Sequence, residues 1–131
     1  MNDVQKKILV IDDENRQRTL IRELLEKMNY TVTALDSAEE ALYHLETVSY
    51  PVIITDLKMP WMDGVQFCRQ VKRKHPRTVI YLLSGYVDAY DQDKLASGGF
   101  DAIFRKPLKS GMLEEALADV FEQSPADGPD E

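Results

Sequence analysis

The sequence predicts a single doubly wound α/β domain, in which a parallel sheet of five strands is covered on both faces by five helices. Two observations predict this class. Short runs of β-branched and aliphatic residues recur five times along the 131 residues, and helical patterns of apolar residues separate these runs. Because right-handed crossovers place the helices of such an alternation on both faces of a sheet, the strands are expected to be parallel.

The five predicted strands are short and mostly apolar. Uninterrupted apolar runs predict strands that are buried on both faces of the sheet. The second strand alternates only weakly between apolar and polar residues, so we expect it at an edge. The strands cover residues 7–11, 31–35, 52–55, 78–83 and 101–105.

The five predicted helices carry apolar residues at intervals of three and four. They cover residues 15–28, 38–48, 65–74, 87–97 and 110–121. Ser37 and Glu40 have the spacing of a capping box, so Ser37 is expected to begin the second helix. The fourth helix has the weakest pattern, because it contains three aspartates and few apolar positions. We expect it to be the most mobile element.

Composition and charge narrow the classes of function. A formal net charge of −7 opposes direct contact with nucleic acid, because phosphates are neutralised by clustered Lys and Arg. Cys68 is the one cysteine of the chain, so it can form neither an internal disulfide nor the core of a zinc site. No apolar run reaches the roughly 18 residues that span a bilayer, and no secretory segment is visible. We therefore expect a soluble cytoplasmic protein that does not contact membranes.

The chain length corresponds to one domain with one ordinary core. We expect residues 6–122 to form this domain. Residues 123–131 combine acidic side chains with proline and glycine, a composition typical of solvated linkers. They are expected to form an acidic, flexible C-terminal tail.

Five polar side chains follow the ends of four predicted strands. They are Asp12, Asp13, Asp56, Ser84 and Lys106. Parallel strands end at the same edge of a sheet, and ligands bind in the crevice beyond these ends, so we expect the five side chains to meet at one site. Two carboxylates about 4 Å apart repel each other by roughly 4 kcal/mol at an effective dielectric constant of 20. Packing alone gives no reason to assemble such a cluster.

A hard divalent cation, Mg²⁺ or Mn²⁺, would relieve this repulsion, because it prefers oxygen ligands and binds through one or two carboxylates together with a phosphate. Lys106 supplies a positive charge for a phosphoryl oxygen, and Ser84 supplies a hydroxyl donor. With Asp56 as the nucleophile, the set fits in-line transfer of a phosphoryl group to a carboxylate. The product would be an aspartyl phosphate.

Four segments resemble, in the same order, the motifs of one known family. They are Ile11-Asp12-Asp13-Glu14, the stretch Asp-Leu-Lys-Met-Pro-Trp-Met-Asp-Gly from Asp56 to Gly64, Ser84-Gly85 and Lys106-Pro107. On these residues the chain is similar to the CheY-like receiver domain of bacterial two-component response regulators, over about residues 6–122. The resemblance implies a flavodoxin-like fold with the strand order 2-1-3-4-5, an order that the sequence patterns alone do not determine.

The resemblance also implies a role for each residue of the site. Asp56 would be the phosphoacceptor and a metal ligand, and Asp13 would bind the magnesium ion directly. Asp12 would bind it through a water molecule, and the backbone carbonyl of Lys58 would complete the protein ligands.

Further residues have implied roles around the phosphoryl group. Ser84 would move toward this group, and Lys106 would contact it. The peptide bond before Pro107 is expected to be cis, which the small energetic penalty of X-Pro bonds allows. Lys58 and Tyr86 would flank the path of the attacking water and so prolong the lifetime of the aspartyl phosphate.

One position departs from the family pattern. The residue three before the lysine is usually Tyr or Phe, and here it is Ile103. Phe104 is aromatic, but adjacent residues of a strand point to opposite faces, so Phe104 does not replace the missing ring. We expect any switch to repack Ile103 against the fourth helix, with Tyr86 or Tyr90 as the aromatic participant. The alternative is that Ile103 is an ordinary buried strand residue.

The resemblance implies protein partners. The donor would be a phosphohistidine on a histidine kinase or a phosphotransfer protein, so His44 and His75 are not needed and are expected at exposed helix ends. The output surface would consist of the fourth helix, the fifth strand and the fifth helix. This surface would control an unknown partner or output domain, and a homodimer could form through it.

Two other classes of function stay open at this stage. An aspartate-nucleophile hydrolase also uses an aspartate at a strand end, but it requires a second acid two residues later, where this chain has Lys58. A scaffold that has lost phosphorylation would have no reason to keep all five site residues. The sequence also leaves open whether the domain stands alone, belongs to a longer chain or acts on a separate protein.

Overall fold

The computed structural model describes residues 6–109 and 111–122. Five strands form the sheet: β1 (Lys7–Ile11), β2 (Thr31–Leu35), β3 (Val52–Thr55), β4 (Val79–Ser84) and β5 (Ala102–Arg105). All pairs are parallel, in the order β2-β1-β3-β4-β5, so the predicted class, strand order and edge position of β2 are confirmed. Residue 110, with which the last helix was predicted to begin, and the predicted tail 123–131 lie outside the described residues.

Five helices connect and cover the strands. They are α1 (Asn15–Lys27), α2 (Ala38–His44), α3 (Gly64–Lys74), α4 (Gln92–Ala96) and α5 (Met112–Glu122). Ser37 caps α2 as predicted, because its hydroxyl accepts a hydrogen bond from the N–H of Glu40 at 3.1 Å. Asp63 and Gln66 form a reciprocal capping box that begins α3. A capping side chain satisfies a donor that a helix N-terminus leaves unpaired, so these residues fix where the two helices start.

The segment predicted as one helix over residues 87–97 is divided in two. Val87–Ala89 form a single turn of 3-10 helix, and α4 follows as a separate helix of five residues. Between them Tyr90 has an extended backbone, with φ −94° and ψ 164°. The side chain of Asp91 then accepts hydrogen bonds from two backbone N–H groups in the first turn of α4. The prediction of a continuous helix was wrong because an aspartate inside the segment acts as a new N-cap.

The sheet is buried on both faces. No residue of β3 is more than 2% exposed, which explains why its sequence is apolar without alternation. Leu9 and Ile53 pack under α2 and α3, whereas Ile8 and Ile54 pack under α1 and α5. Burying each such side chain stabilises the fold by about 1.5–3 kcal/mol. Among the described residues, no helix is long and apolar enough to cross a membrane.

A separate apolar cluster lies beside α4 and is called the α4 cluster here. The partly buried side chains of Tyr90, Phe100 and Ile103 pack against it. Its buried members come from the loop after β3, from α3, from β4 and from the segment that contains α4: Leu57, Val65, Leu82, Val87 and Leu95.

His44 and His75 lie at helix ends as expected, but they are half-buried rather than exposed. The Nε2 atom of His44 lies 2.7 Å from the hydroxyl oxygen of Tyr50. The Nε2 atom of His75 lies 3.1 Å from the carbonyl oxygen of Leu45. Both rings therefore make packing contacts that the local sequence pattern did not reveal.

All helices run in a common direction relative to the sheet. Each follows a strand that ends at the carboxyl edge of the sheet, so each helix begins near this edge and ends at the opposite one. Acidic residues lie in the first turns of α2, α4 and α5, and basic residues lie in the last turns of α1 and α3. Each sign is opposite to the partial charge of the helix end that it occupies, so these charges stabilise the helices.

Candidate functional site

The register of β1 and β3 brings Asp12 and Asp56 side by side. Ile11 is the partner of Thr55 in the parallel ladder, so the next residue of each strand leaves the sheet at the same level. The ladder continues beyond the strands, because the N–H of Asp56 donates to the carbonyl of Ile11 at 2.9 Å. The backbone of the sheet thus fixes the spacing of the two carboxylates.

The opposite wall of the site is fixed in the same way by β4 and β5. Ser84 is the partner of Arg105, and the N–H of Lys106 donates to the carbonyl of Ser84 at 3.0 Å. Ser84 is completely buried, and its hydroxyl accepts a hydrogen bond from the N–H of Tyr86 at 3.0 Å. The peptide bond between Lys106 and Pro107 is cis.

The three predicted carboxylates meet at the carboxyl edge. Each of Asp12, Asp13 and Asp56 offers a ligand oxygen, and these oxygens lie within 4.8 Å of one another. Asp12 is 5% exposed, Asp56 is half-buried and Asp13 is exposed, so the cluster opens to solvent on one side. A set of hard oxygen donors with one open side suits a cation such as Mg²⁺, which retains water ligands.

Lys106 provides a positive charge beside the cluster. Its Nζ atom lies 3.3 Å from Oδ2 of Asp12 and forms an ion pair with it. The other oxygen of Asp12 accepts a hydrogen bond from the N–H of Glu14 at 2.9 Å. A buried carboxylate needs such partners, because an uncompensated charge away from water is costly.

The pKa of Asp56 is raised above its ordinary value of 3.8. Burial is the largest cause, and the negative charge of Asp12 adds to it. The N–H of Leu57, which donates to Oδ1 of Asp56 at 2.8 Å, acts in the opposite direction, as do the charge of Lys106 and the hydroxyl of Ser84. The raised pKa indicates that burial and the neighbouring carboxylate of Asp12 disfavour a negative charge on Asp56.

Comparison with known proteins places these features in a family. Residues 8–118 match the family model described as the response regulator receiver domain. The chain belongs to this family. The cluster of Asp12, Asp13 and Asp56 fits the magnesium and phosphoaspartate site of such domains.

Two curated relatives are longer proteins. The transcriptional regulatory protein ResD of Bacillus subtilis is 35% identical over 101 residues, which cover 77% of this chain and 42% of ResD. The alkaline phosphatase synthesis transcriptional regulatory protein PhoP of the same organism is 29% identical over 126 residues, which cover 96% of this chain and 52% of PhoP. The chain therefore spans about half of the length of these relatives.

Solved structures share the fold. The response regulator protein TrrA of Thermotoga maritima, solved in complex with Mg²⁺ and BeF, is 30% identical with a TM-score of 0.79, over 87% of this chain and 97% of TrrA. The receiver domain of a signal transduction histidine kinase from Syntrophus aciditrophicus has a TM-score of 0.83 at 24% identity, over 95% of this chain and 96% of that one. The second likeness concerns the fold alone.

In this receiver domain, the two residues expected to prolong the phosphoryl lifetime contact each other. The Nζ atom of Lys58 lies 4.8 Å from the centre of the Tyr86 ring, a cation–π geometry. Tyr86 is 51% exposed, and Lys58 is also exposed. The role of the Lys58 backbone carbonyl as a metal ligand, and the effect of both residues on lifetime, stay predictions.

The residue at the expected switch position, Ile103, lies half-buried against the α4 cluster. Phe104 lies on the other face of the sheet, where its ring packs edge-on against Tyr81 with the ring centres 5.3 Å apart. The expectation that these neighbours face opposite sides of the sheet is confirmed. Whether Ile103 repacks on phosphorylation stays a prediction.

Sequence reasoning missed two features near the site. The hydroxyl of Tyr90 donates to Oδ2 of Asp63 at 2.5 Å, across a separation of 27 residues that no local pattern marks. A cleft of about 410 Å³ with mainly apolar walls also extends from the carboxylates, between α1 and the loop after Lys106. Leu20, which is 56% exposed, lies in the wall of this cleft.

Proposed function

We propose that this receiver domain accepts a phosphoryl group on Asp56 from a phosphohistidine of a histidine kinase or phosphotransfer protein, in a magnesium-dependent reaction in the cytoplasm. The α4–β5–α5 face then changes conformation to control a partner or an output domain. The observation that carries this proposal is the convergence of Asp12, Asp13 and Asp56 within 4.8 Å, beside the ammonium of Lys106.

Asp56 is the nucleophile of the proposed reaction. The N–H of Leu57 holds its Oδ1 atom at 2.8 Å and so fixes the orientation of the carboxylate. Attack by a carboxylate oxygen on phosphorus forms an O–P bond and breaks the P–N bond of the donor. The electron pair of the broken bond stays on the imidazole nitrogen, and the ring departs as a neutral group when its other nitrogen carries a proton.

The residues present fit a divalent cation. Asp12, Asp13, Asp56 and the backbone carbonyl of Lys58 would hold it, and a bound magnesium ion supplies positive charge that neutralises the carboxylates and the phosphoryl oxygens. Lys106, now paired with Asp12, is the residue to contact a phosphoryl oxygen. The buried hydroxyl of Ser84 is a second donor for this group.

The relatives support a signalling role and not a hydrolase. TrrA was solved with Mg²⁺ and BeF, and ResD and PhoP are transcriptional regulatory proteins in which the aligned region covers about half of the chain. In our proposal this domain itself does not contact nucleic acid, because its net charge is −7. The output is delivered through a partner, through another domain or through a homodimer on the α4–β5–α5 face.

Treatment with acetyl phosphate and magnesium tests the proposal. We expect one acid-stable, base-labile phosphoryl group on the protein, detected by intact mass and located by peptide mapping. The Asp56→Asn variant is expected to lose the modification and to keep the fold, whereas Asp119→Asn, which removes an exposed charge on α5, is expected to behave as wild type. A phosphoryl group on Ser84, or continuous turnover of phosphate esters, would contradict the assignment.

Lys106→Ala separates modification from response. Because Lys106 is not among the proposed metal ligands, we expect magnesium binding to persist in this variant. Conformational change on phosphorylation is expected to be lost, because the residue that contacts the phosphoryl group is missing.

A further inference from the structure

The hydrogen bond from Tyr90 to Asp63 joins the two segments that leave the site. One segment runs from Asp56 through the loop after β3 to Asp63, and the other runs from Ser84 to Tyr90. The hydroxyl of Tyr90 donates to Oδ2 of Asp63 at 2.5 Å. Burial and the hydrogen bond to Asp63 raise the pKa of Tyr90 to about 12, so the phenol keeps its proton as a donor at neutral pH.

The first segment is tied closely to the carboxylate of Asp56. The N–H of Leu57 donates to Asp56 at 2.8 Å, and the carbonyl of Leu57 accepts from the N–H of Gly64 at 2.7 Å. A Cβ atom at Gly64 would lie 2.4 Å from the carbonyl oxygen of Asp56, so the loop closes directly on the backbone of the phosphoacceptor. A continuous series of hydrogen bonds and short covalent links therefore runs from Asp56 to Asp63.

Asp63 is itself held firmly. Its Oδ1 atom accepts from the N–H of Gln66 at 2.9 Å, and its own N–H donates to the side chain of Gln66 at 3.0 Å. With Oδ2 taken by Tyr90, both carboxylate oxygens have partners. A shift of the loop after Asp56 would therefore displace the acceptor of the Tyr90 hydroxyl.

The second segment is braced by its own hydrogen bonds. The side-chain amide of Gln92 donates to the carbonyls of Val87 and Tyr90, at 2.8 and 2.9 Å, and so braces the turn before α4. In α4 only Leu95 is buried, so this helix is held by little apolar surface. The ring of Tyr90 packs on the α4 cluster beside Ile103.

We infer that the Tyr90–Asp63 hydrogen bond transmits the state of Asp56 to residues 87–97. The inference rests on the proposed function, because it needs phosphorylation of Asp56 as its input. A phosphoryl group adds charge and bulk at a carboxylate whose links lead through Leu57 and Gly64 to Asp63. The linkage is reciprocal, so Tyr90 also influences how readily the site binds a phosphoryl analogue.

Two variants break this hydrogen bond with little other change. Tyr90→Phe keeps the ring on the α4 cluster and removes the donor. Asp63→Ser keeps an oxygen that can cap α3 and removes the acceptor of Tyr90. Tyr43→Phe is the matched control, because it removes a hydroxyl from a tyrosine that is 75% exposed on α2.

The experiment compares amide hydrogen exchange of each protein with and without beryllofluoride and magnesium. In the wild type and in Tyr43→Phe, we expect the exchange rates to change by at least about fivefold both in residues 57–67 and in residues 87–97. Fivefold is the lower end of usual coupling strengths. In Tyr90→Phe and Asp63→Ser, the change in 57–67 is expected to persist, and the change in 87–97 to fall below about twofold. Circular dichroism checks that each variant is folded, and Tyr90→Phe alone decides the result if Asp63→Ser does not fold.

A full response of residues 87–97 in Tyr90→Phe would overturn the inference and would assign the bond a purely static role. A wild-type response confined to residues 57–67 would also overturn it, while phosphorylation of Asp56 would stand. Absence of any response in the wild type, together with no modification by acetyl phosphate, would instead remove the proposed function on which the inference rests.

Discussion

Magnesium is expected to stabilise this receiver domain, and the arrangement of its carboxylates sets the size of the effect. The ligand oxygens of Asp12, Asp13 and Asp56 lie within 4.8 Å of one another. At that distance and an effective dielectric constant of about 20, each pair of full charges repels by roughly 3.5 kcal/mol. Lys106, with its Nζ atom 3.3 Å from Asp12, offsets only part of this repulsion. The folded protein thus gains from a cation that the unfolded chain has no site for.

The expected shift follows from mass action. At a magnesium concentration ten times the dissociation constant, the free energy of unfolding rises by about 1.4 kcal/mol. For 131 residues, with an unfolding entropy of roughly 2.1 cal/mol/K per residue, this corresponds to an increase in Tm of about 5 °C. Asp13→Asn is expected to lose most of this shift because it removes a proposed ligand. Without metal it should be at least as stable as the wild type, because one source of repulsion is gone.

Thermal unfolding with and without magnesium measures the shift, and Trp61 gives an independent signal. Trp61 is the one tryptophan of the chain, is 93% exposed and lies in the loop after Asp56. Asp119→Asn serves as the charge-matched control and is expected to keep the full shift. The reasoning is refuted if magnesium changes neither the Tm nor the Trp61 fluorescence of the wild type, or if Asp13→Asn responds as strongly as the wild type.

Two further predictions concern pH and phosphoryl lifetime. Because the folded pKa of Asp56 is raised above 3.8, the folded state binds more protons than the unfolded state between these pKa values. This contribution to the stability of the metal-free protein is complete below pH 3.8 and is lost as the pH rises through the folded pKa. Urea unfolding at several pH values measures it, and Asp56→Asn should make the free energy of unfolding depend less on pH. An unchanged dependence in this variant would contradict the assignment. For lifetime, replacing Lys58 and Tyr86, which contact each other at 4.8 Å, together with alanine should speed hydrolysis of the aspartyl phosphate, because both are expected to flank the path of the attacking water. Decay followed by intact mass would count against this role if both proteins lost the group at the same rate.

The sequence alone predicts that the carboxylates meet at one edge, because strand ends carry local signals. The apolar run 52–55 stops at Asp56, and the run 7–11 stops at Asp12, so a parallel sheet had to bring the two carboxylates to one edge. The order of the strands came only from the family resemblance, since apolar patterns do not say which strand is the neighbour of which. The same argument predicts Lys106 in the site, but it does not say which carboxylate Lys106 pairs with, and the structure pairs it with Asp12.

The errors have physical causes of the same kind. The weak apolar pattern of residues 87–97 predicts one helix, but Asp91 inside it is an N-cap residue at which a second helix begins. The helix-end positions of His44 and His75 predict exposed rings, but both rings are half-buried and lie within hydrogen-bond distance of Tyr50 and Leu45. The local pattern of apolar residues predicts helices and strands well. Contacts between side chains of different elements depend on tertiary packing, which this pattern does not encode.

The side-chain charges at the two ends of the helices give the molecule an asymmetric charge distribution as well as a net negative charge, because these full charges outweigh the opposite half-charges of the helix ends. Negative side chains concentrate at the carboxyl edge with the three aspartates, while Lys27 and the run Lys72-Arg73-Lys74 lie at the far end. We therefore expect a partner with a basic surface to be oriented with that surface toward the acidic cluster before contact. The orienting field extends over about 10 Å at 0.1 M salt and shrinks as salt is added. The rate of productive encounters should thus depend on ionic strength more steeply for one face of the molecule than for the other, a property that the net charge alone does not describe.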